Sequence, residues 1–271
     1  MLALKPARIQ VAHPAFSGFA RVSTVDYRLT DAALEPAAAV ASTGRPLALE
    51  GCIFPYAPRP RATKAPLGRF QLGLAAGAFV FGVFGESRRL SAPVLETWRL
   101  ILARAPGAVI AFSPSFAADA VAAQRLAVAA GIEPHRMTVI PGVESEGGDL
   151  WRWLFVDAAL DTVPRSSPLE ALEALSQGVP VVAMAGERPE SRGASAVLAA
   201  AGLAELVAAT PEEYVDRAVR LATDEAWRAT VREAVATRVP ASVLSDSAGH
   251  TRALERALLE GLSRSGIPLP P

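Results

Sequence analysis

Residues 166–173 bring together two kinds of group that bind nucleotides. Glu173 lies one turn inside a predicted helix, where a carboxylate can accept two hydrogen bonds from a ribose diol, as in nucleotide-binding α/β folds. Ser166 and Ser167 stand at the start of that helix, whose free backbone N–H groups and dipole favour an anion such as a diphosphate. An ordinary exposed glutamate behind a self-satisfied helix cap is the alternative for the same residues.

The elements around this stretch are those of a βαβ unit, residues 156–184. VDAAL is a buried-strand pattern, and Ser167 to Glu170 form a capping box with Pro168 at the first helical position. One helical face is predicted to hold three leucines: Leu169, Leu172 and Leu175. Gly178 ends the helix, and VPVVAM follows as a strand buried on both faces. Ligands of parallel sheets collect at the carboxyl ends of the strands, where this loop lies.

Two features weaken the predicted anion site. Glu170 brings negative charge into the first turn, and Pro168 removes one N–H donor.

Arg88 and Arg89 follow a predicted strand at the same edge, and arginine pairs with phosphate oxygens in bidentate fashion. Solvated surface arginines are the commoner alternative.

Other chemistry-bearing residues stand apart in the sequence. Arg152 and Arg165 are weaker phosphate-binding candidates. His13, in VAHPAFSG, follows a strand and could act as a general base, whereas His135 and His250 are expected to be structural or surface residues. Two tryptophans precede the key strand and either pack beneath the loop or stack on a base: Trp151 and Trp153.

Composition excludes several classes of protein. The chain has 271 residues, 51% of them hydrophobic, enough for one large domain or two ordinary ones. Its 27 basic and 27 acidic residues balance, which disfavours nucleic acid or an acidic membrane as partner. Cys52 is the sole cysteine, so no intrachain disulfide or cysteine-based zinc site is expected. With no signal-peptide core and no apolar run near ~18 residues, we expect a soluble cytoplasmic protein.

Strand and helix patterns alternate along most of the chain and predict an α/β fold with a Rossmann-like doubly wound parallel sheet. Residues 1–60 look irregular, with short strands predicted near 9–11, 25–29 and 52–56, and 57–68 is a predicted linker. Further strands are predicted at 79–84, 108–112, 136–140, 156–160, 179–184 and 203–207. Helices are predicted at 93–103, 117–130, 168–177, 191–201, from 211 onward and at 248–262, with a turn or short helix around 150–154.

Ordered segments over nearly the whole chain resemble the catalytic region of protein O-GlcNAc transferases and their bacterial relatives. The matching segments include PARIQV, HPAFSG, GCIFPYAPRP, LGLAAGAFVFGVF, GIEPHRMTVIPG, VDAALDT and EALSQGVPVVAMAGERPESRGASAVLAAAGLAELV. This family comprises GT-B glycosyltransferases that use a UDP-sugar donor. The resemblance implies a donor-binding Rossmann-like domain at 69–265 and a small partial acceptor-side lobe at 1–60, without the upstream part that carries the family's base histidine and helical repeats.

Several positions depart from the family pattern. The family's His-Thr-Thr triplet at the helix start falls on Pro168, Leu169 and Glu170, which lack its phosphate donors. Its acidic ribose ligand falls on Glu173, and its phosphate-facing lysine falls on Arg89. Three further family positions that bear amide or basic groups are acidic here: Glu86, Glu146 and Asp149. Each lost phosphate donor removes a charge-assisted hydrogen bond of roughly 1.5–3 kcal/mol.

Two functional hypotheses follow. The first is sugar transfer from a UDP-sugar to a protein serine or threonine, without a metal or other cofactor, with His13 as candidate base. Its predicted donor-binding residues are Glu173, Arg89, Arg88, Ser166, Ser167, Glu170 and Arg152. The second is a catalytically inactive binding or scaffold subunit, with a homodimer or a partner chain covering apolar surface expected around 9–11 and 53–56. A cofactor-binding oxidoreductase is disfavoured because the glycine fingerprint is missing. The C-terminal helix is expected to pack back toward the 1–60 lobe.

Overall fold

The computed structural model describes residues 2–13, 22–35, 44–57, 59–85, 89–112, 120–141 and 148–267. Three of the residues singled out above lie outside that part of the chain: Glu86, Arg88 and Glu146. The strands form two separate sheets, each of them wholly parallel in its described pairings.

The smaller sheet has three strands in chain order, β1 (Val11–Ala12), β2 (Tyr27–Thr30) and β3 (Arg45–Ala48). The prediction of a strand at 52–56 is wrong. These residues lie in irregular backbone because their polar groups bond elsewhere: the Cys52 carbonyl lies 3.1 Å from His250 Nδ1, and the Tyr56 N–H donates to the Leu244 carbonyl at 3.2 Å. The third strand comes earlier, where proline at its second position discouraged a strand assignment.

The larger sheet has six strands: β4 (Phe79–Val83), β5 (Ala108–Phe112), β6 (Met137–Val139), β7 (Ala158–Leu160), β8 (Val181–Met184) and β9 (Val207–Ala208). Their order is β6-β5-β4-β7-β8-β9. This is the Rossmann order, in which the chain first winds outward in one direction and then returns to the centre to wind in the other. The predicted doubly wound parallel sheet is confirmed.

Four helices cross between these strands: α1 (Ala92–Arg104), α2 (Ala120–Ala129), α3 (Pro168–Ser176) and α4 (Gly193–Ala200). Three more follow the last strand: α5 (Pro211–Thr223), α6 (Glu225–Ala241) and α7 (Ser247–Arg264). A 3₁₀-helix, Gly148–Phe155, precedes β7. Sequence reasoning missed α6. The Asp224 side chain accepts the Trp227 N–H at 2.9 Å, so it caps a new helix where one long helix was expected.

Buried apolar side chains from both sheets join in one core. Trp98 of α1, Phe81 of β4 and Phe112 of β5 are each at most 1% exposed. Tyr214 of α5 is also buried, and its hydroxyl donates to the Asp161 carbonyl at 2.8 Å, so the core reaches the end of β7. In the described part of the chain, no helix combines the length and apolar character needed to cross a membrane.

The C-terminal helix α7 packs against the small sheet, as predicted. Tyr27 and Ser265 hydroxyls lie 2.9 Å apart, and a Cβ added to Gly261 would lie 3.1 Å from Leu47. This packing corrects the expectation of exposed apolar surface at 53–56, because Ile53 is 1% and Phe54 7% exposed. The division into a 1–60 lobe and a 69–265 domain stays a prediction.

The described part of the predicted linker lies along α3. The Ala62 N–H donates to Gln177 Oε1 at 2.8 Å, and just before the linker the Tyr56 and Ser176 hydroxyls are 3.1 Å apart. Arg59 Nη2 donates to Glu173 Oε1 at 2.8 Å. The linker is therefore attached to the helix that carries the predicted binding residues.

Arg136 binds backbone carbonyls at the C-terminal end of α1 and the start of β5. Its guanidinium donates to the carbonyls of Leu102, Ala105 and Ala108 at 3.1, 2.8 and 2.7 Å. Since a charged donor satisfies the last carbonyls of a helix, we expect Arg136→Met to lower the free energy of unfolding by about 2–3 kcal/mol. Urea denaturation measures the change.

The matched control is Arg99→Met, which removes an exposed ion pair with Glu96 on α1. Exposed pairs contribute little, so its loss should be under about 1 kcal/mol. Equal losses for the two variants would contradict the role given to Arg136.

Candidate functional site

The centre of the larger sheet is a topological switch point. Strands β4 and β7 are neighbours there, and the chain leaves them in opposite directions. Parallel α/β sheets bind ligands in the crevice beyond the carboxyl ends of such strands. The groups at this edge are Gly85 and Arg89 after β4, and the loop 161–167 leading to α3 after β7.

Asp161 and Ser167 hold the start of α3. The Ser167 side chain accepts the Glu170 N–H at 3.4 Å, so the predicted N-cap is confirmed. The other half of the capping box is wrong, because the Ser167 N–H donates to Asp161 Oδ1 at 2.8 Å instead of to Glu170. The Glu170 carboxylate therefore does not complete the capping box.

Ser166 ties the same loop to α4. Its Oγ accepts the Ala194 N–H at 2.7 Å, and its own N–H donates to the Glu190 carbonyl at 3.0 Å. The two serines thus make internal hydrogen bonds at the starts of two helices, which is the self-satisfied cap considered above. Their predicted contact with a diphosphate stays a prediction.

Glu170 points toward the end of β4. Its Oε1 accepts from Arg89 Nη1 at 3.1 Å, and the two side chains are 22% and 20% exposed. A Cβ added to Gly85 would lie 2.6 Å from the same oxygen, so only a glycine lets the carboxylate sit against this backbone. The enclosed space between Glu170, Asp161 and Ser167 is about 10 Å³, room for one water at most.

Burial makes both carboxyl groups at this edge reluctant to ionise. It raises the pKa of Glu170 to about 7, against the opposing charge of Arg89. It also raises the pKa of Asp161 to about 6. Asp161 Oδ2 is buried and has no hydrogen-bond partner among the described residues, which further penalises its charged form.

Glu173 lies between two arginines. Its Oε1 is 2.8 Å from Arg59 Nη2, its Oε2 is 3.5 Å from Arg152 Nη2, and its side chain is 13% exposed. The guanidinium of Arg152 stacks 4.7 Å above the centre of the Phe84 ring. The alternative of an ordinary exposed helix glutamate is therefore wrong. The Arg59 contact had no signal in the sequence because it joins residues far apart in the chain.

The remaining candidates lie elsewhere or serve packing. Trp151 and Trp153 are each 3% exposed, and Trp153 lies 4.4 Å from the Phe84 ring, so they pack beneath the loop. The prediction that Leu169 lies on the buried face of α3 is wrong: it is 61% exposed, and the buried positions are Ala171, Leu172, Ala174 and Leu175. The backbone carbonyl of Arg165 accepts a hydrogen bond from Thr162 Oγ1 at 2.7 Å.

His13 belongs to a different group of residues. Its ring lies 6.3 Å from that of Phe54, edge to face. Burial lowers the pKa of His13; a hydrogen bond with the Ile53 backbone raises it, and the nearby His250 lowers it further. These contacts associate His13 with the small sheet and α7 rather than with α3. Among the described residues, no group of three or more His, Cys, Asp or Glu is placed to hold a metal ion.

The chain belongs to glycosyl transferase family 41, whose sequence model matches residues 63–254. This confirms the resemblance stated from the sequence motifs. The family assignment places the switch-point site in a Rossmann-like half of a GT-B fold.

Two plant relatives illustrate the similarity. A probable UDP-N-acetylglucosamine–peptide N-acetylglucosaminyltransferase SPINDLY of Solanum lycopersicum is 30% identical over 261 residues, 94% of this chain and 27% of that protein. The probable transferase SEC of Arabidopsis thaliana is 26% identical over 265 residues, 95% of this chain and 27% of that protein. The chain therefore spans about a quarter of the length of these curated relatives.

Solved structures agree on the fold. A mutant O-GlcNAc transferase from Thermobaculum terrenum superposes with a TM-score of 0.78 at 27% identity, covering 97% of this chain and 50% of that one. A UDP-forming trehalose-phosphate synthase from Burkholderia vietnamiensis gives a TM-score of 0.53 at 15% identity, covering 88% and 62%. The second likeness concerns the fold alone.

The raised pKa of Glu170 predicts a pH-dependent stability. A carboxyl whose pKa rises from 4.5 to about 7 on folding contributes stability that is present below pH 4.5 and lost as the pH rises toward 7. Glu170→Gln removes that loss. We expect its free energy of unfolding to match the unmodified chain at pH 4 and to exceed it by up to about 3 kcal/mol at pH 8, measured by urea denaturation.

Glu255→Gln is the control, because Glu255 is an exposed residue on α7. It removes the same charge without relieving burial, so the difference from the unmodified chain should stay small at both pH values. A Glu170→Gln variant that gains nothing between pH 4 and pH 8 would show that Glu170 carries no burial penalty.

Proposed function

We propose that this chain is the donor-binding part of a glycosyltransferase that moves a sugar from a UDP-sugar to a serine or threonine of a protein. The observation that carries the proposal is the placement of Arg89, the start of α3 and Glu173 at the switch point of a family 41 fold. A basic group and a helix N-terminus suit a diphosphate, and a carboxylate one turn further suits a ribose.

The names of the relatives support the substrate classes. Those of Solanum lycopersicum and Arabidopsis thaliana are described as acting between UDP-N-acetylglucosamine and a peptide. The superposed Thermobaculum terrenum protein is an O-GlcNAc transferase. A nucleotide-sugar donor and a protein acceptor are therefore the substrates we assign to this chain.

Each charged residue has a role in this proposal. Glu173 accepts hydrogen bonds from the ribose hydroxyls while Arg152 and Arg59 hold its orientation, and Arg89 binds the diphosphate. In the transfer, an acceptor hydroxyl oxygen bonds to the anomeric carbon as the bond to the diphosphate breaks. The leaving diphosphate gains charge in that step, so Arg89 and the α3 dipole stabilise it without a metal.

The acceptor proton needs a base, and His13 is the candidate within the chain. Burial lowers its pKa, so the imidazole is neutral at pH 7 and can accept a proton. Its contacts with Phe54 associate it with the small sheet, which is the acceptor side in this proposal.

One observation favours a second candidate function, a non-catalytic binding or scaffold subunit. Arg89 already has an anionic partner within the chain, Glu170, which offsets the charge that a diphosphate requires. A chain of this kind would use the same fold to bind a second copy or another protein.

Calorimetry with UDP at pH 6 tests the donor site. The unmodified chain should bind UDP, and Arg89→Met should weaken binding at least tenfold, because a charge-assisted hydrogen bond contributes roughly 1.5–3 kcal/mol. Arg104→Met is the matched control, since Arg104 is at the C-terminal end of α1, away from Arg89, and pairs there with Asp216 of α5.

Two outcomes separate the hypotheses. No UDP binding at millimolar ligand refutes the donor-site proposal. Binding of UDP together with no release of UDP from UDP-N-acetylglucosamine in the presence of acceptor peptides favours the non-catalytic subunit.

A further inference from the structure

The anion position at the switch point is occupied by a side chain of the protein itself. The Glu170 carboxylate lies against the backbone at Gly85 and accepts from Arg89 at 3.1 Å. This is the place beyond the carboxyl end of β4, beside the start of α3, where a phosphate group of a ligand would sit. The carboxylate and such a phosphate both need the same guanidinium.

The charged groups around Glu170 come from three elements. Arg89 follows β4, Asp161 follows β7, and Arg152 comes from the 3₁₀-helix Gly148–Phe155. Arg152 is already within 3.5 Å of Glu173. If Glu170 and Asp161 both ionise, an added phosphate brings a further negative charge to Arg89, which already pairs with Glu170.

We propose that a phosphate-bearing ligand binds at this site only when Glu170 is protonated, so that binding takes up one proton from solvent. The inference rests on the proposed function, which supplies the ligand, a nucleoside diphosphate. Protonation removes the competing charge from Arg89 and converts one Glu170 oxygen from an acceptor into an O–H donor. Glu170 thereby changes from a group that repels phosphate into one that binds it.

Burial of the carboxyl supports this coupling. It raises the pKa of Glu170 to about 7, so the proton is exchanged near neutral pH rather than in acid. Asp161 faces the same small enclosed space and disfavours a second negative charge there. The part of the affinity that depends on Glu170 should be constant well below pH 7 and should fall about tenfold for each pH unit above it.

The test is UDP affinity of the full chain by calorimetry at pH 6.0, 7.0 and 8.5, beside Glu170→Gln. The terminal phosphate of UDP also titrates, near pH 6, but it does so equally for both proteins. The ratio of their Kd values therefore isolates Glu170. Between pH 6.0 and pH 8.5 the unmodified chain should lose about 30-fold in affinity relative to Glu170→Gln, which stays neutral and keeps an N–H donor.

A second measurement needs no variant. Calorimetry at pH 8 in two buffers of different ionisation enthalpy counts protons, and the unmodified chain should take up about one proton per UDP bound. Glu255→Gln, which removes an exposed charge on α7, should keep the pH profile of the unmodified chain.

The outcomes distinguish this inference from the proposed function. If both proteins bind UDP with the same pH profile and without proton uptake, the inference is overturned while the donor site stands. If neither protein binds UDP at any pH, the donor site itself is refuted, and the inference with it.

Discussion

The buried carboxylate of Asp161 is the interaction on which the rest of the site depends. Its Oδ1 accepts the Ser167 N–H, and its backbone carbonyl accepts the Tyr214 hydroxyl, so β7, α3 and α5 meet at one residue. Because Asp161 accepts the Ser167 N–H, Glu170 does not complete a capping box, and its carboxylate pairs with Arg89.

That charge sets this chain apart from a simple anion site. A helix N-terminus and an arginine ordinarily favour phosphate. Here a carboxyl group already pairs with the arginine, and its burial holds its pKa near 7. In the inference drawn above, ionised Glu170 keeps Arg89 in an ion pair, and protonated Glu170 leaves Arg89 available to an anion.

The linker and α7 connect the two sheets. Arg59 reaches from the linker to Glu173, while α7 returns to the small sheet, where Ser265 lies beside Tyr27. The buried side chains of the two sheets form one cluster. The segment between the sheets is thus anchored to α3, the helix that carries Glu170 and Glu173.

The sequence by itself determined the doubly wound sheet, the cap at Ser167 and the family, because strand–helix alternation and local capping depend on residues close together in the chain. It placed the third short strand wrongly at 52–56 and joined α5 to α6, since those boundaries depend on long-range partners and on a single cap.

Only the tertiary structure decided the states of Glu170 and Glu173. A glutamate in the first turns of a helix is equally suited to a cap, to solvent or to an ion pair. Its choice depends on whether Asp161, Gly85, Arg89 and Arg59 come within reach. Those residues are distant in sequence, and packing of the sheet brings them together.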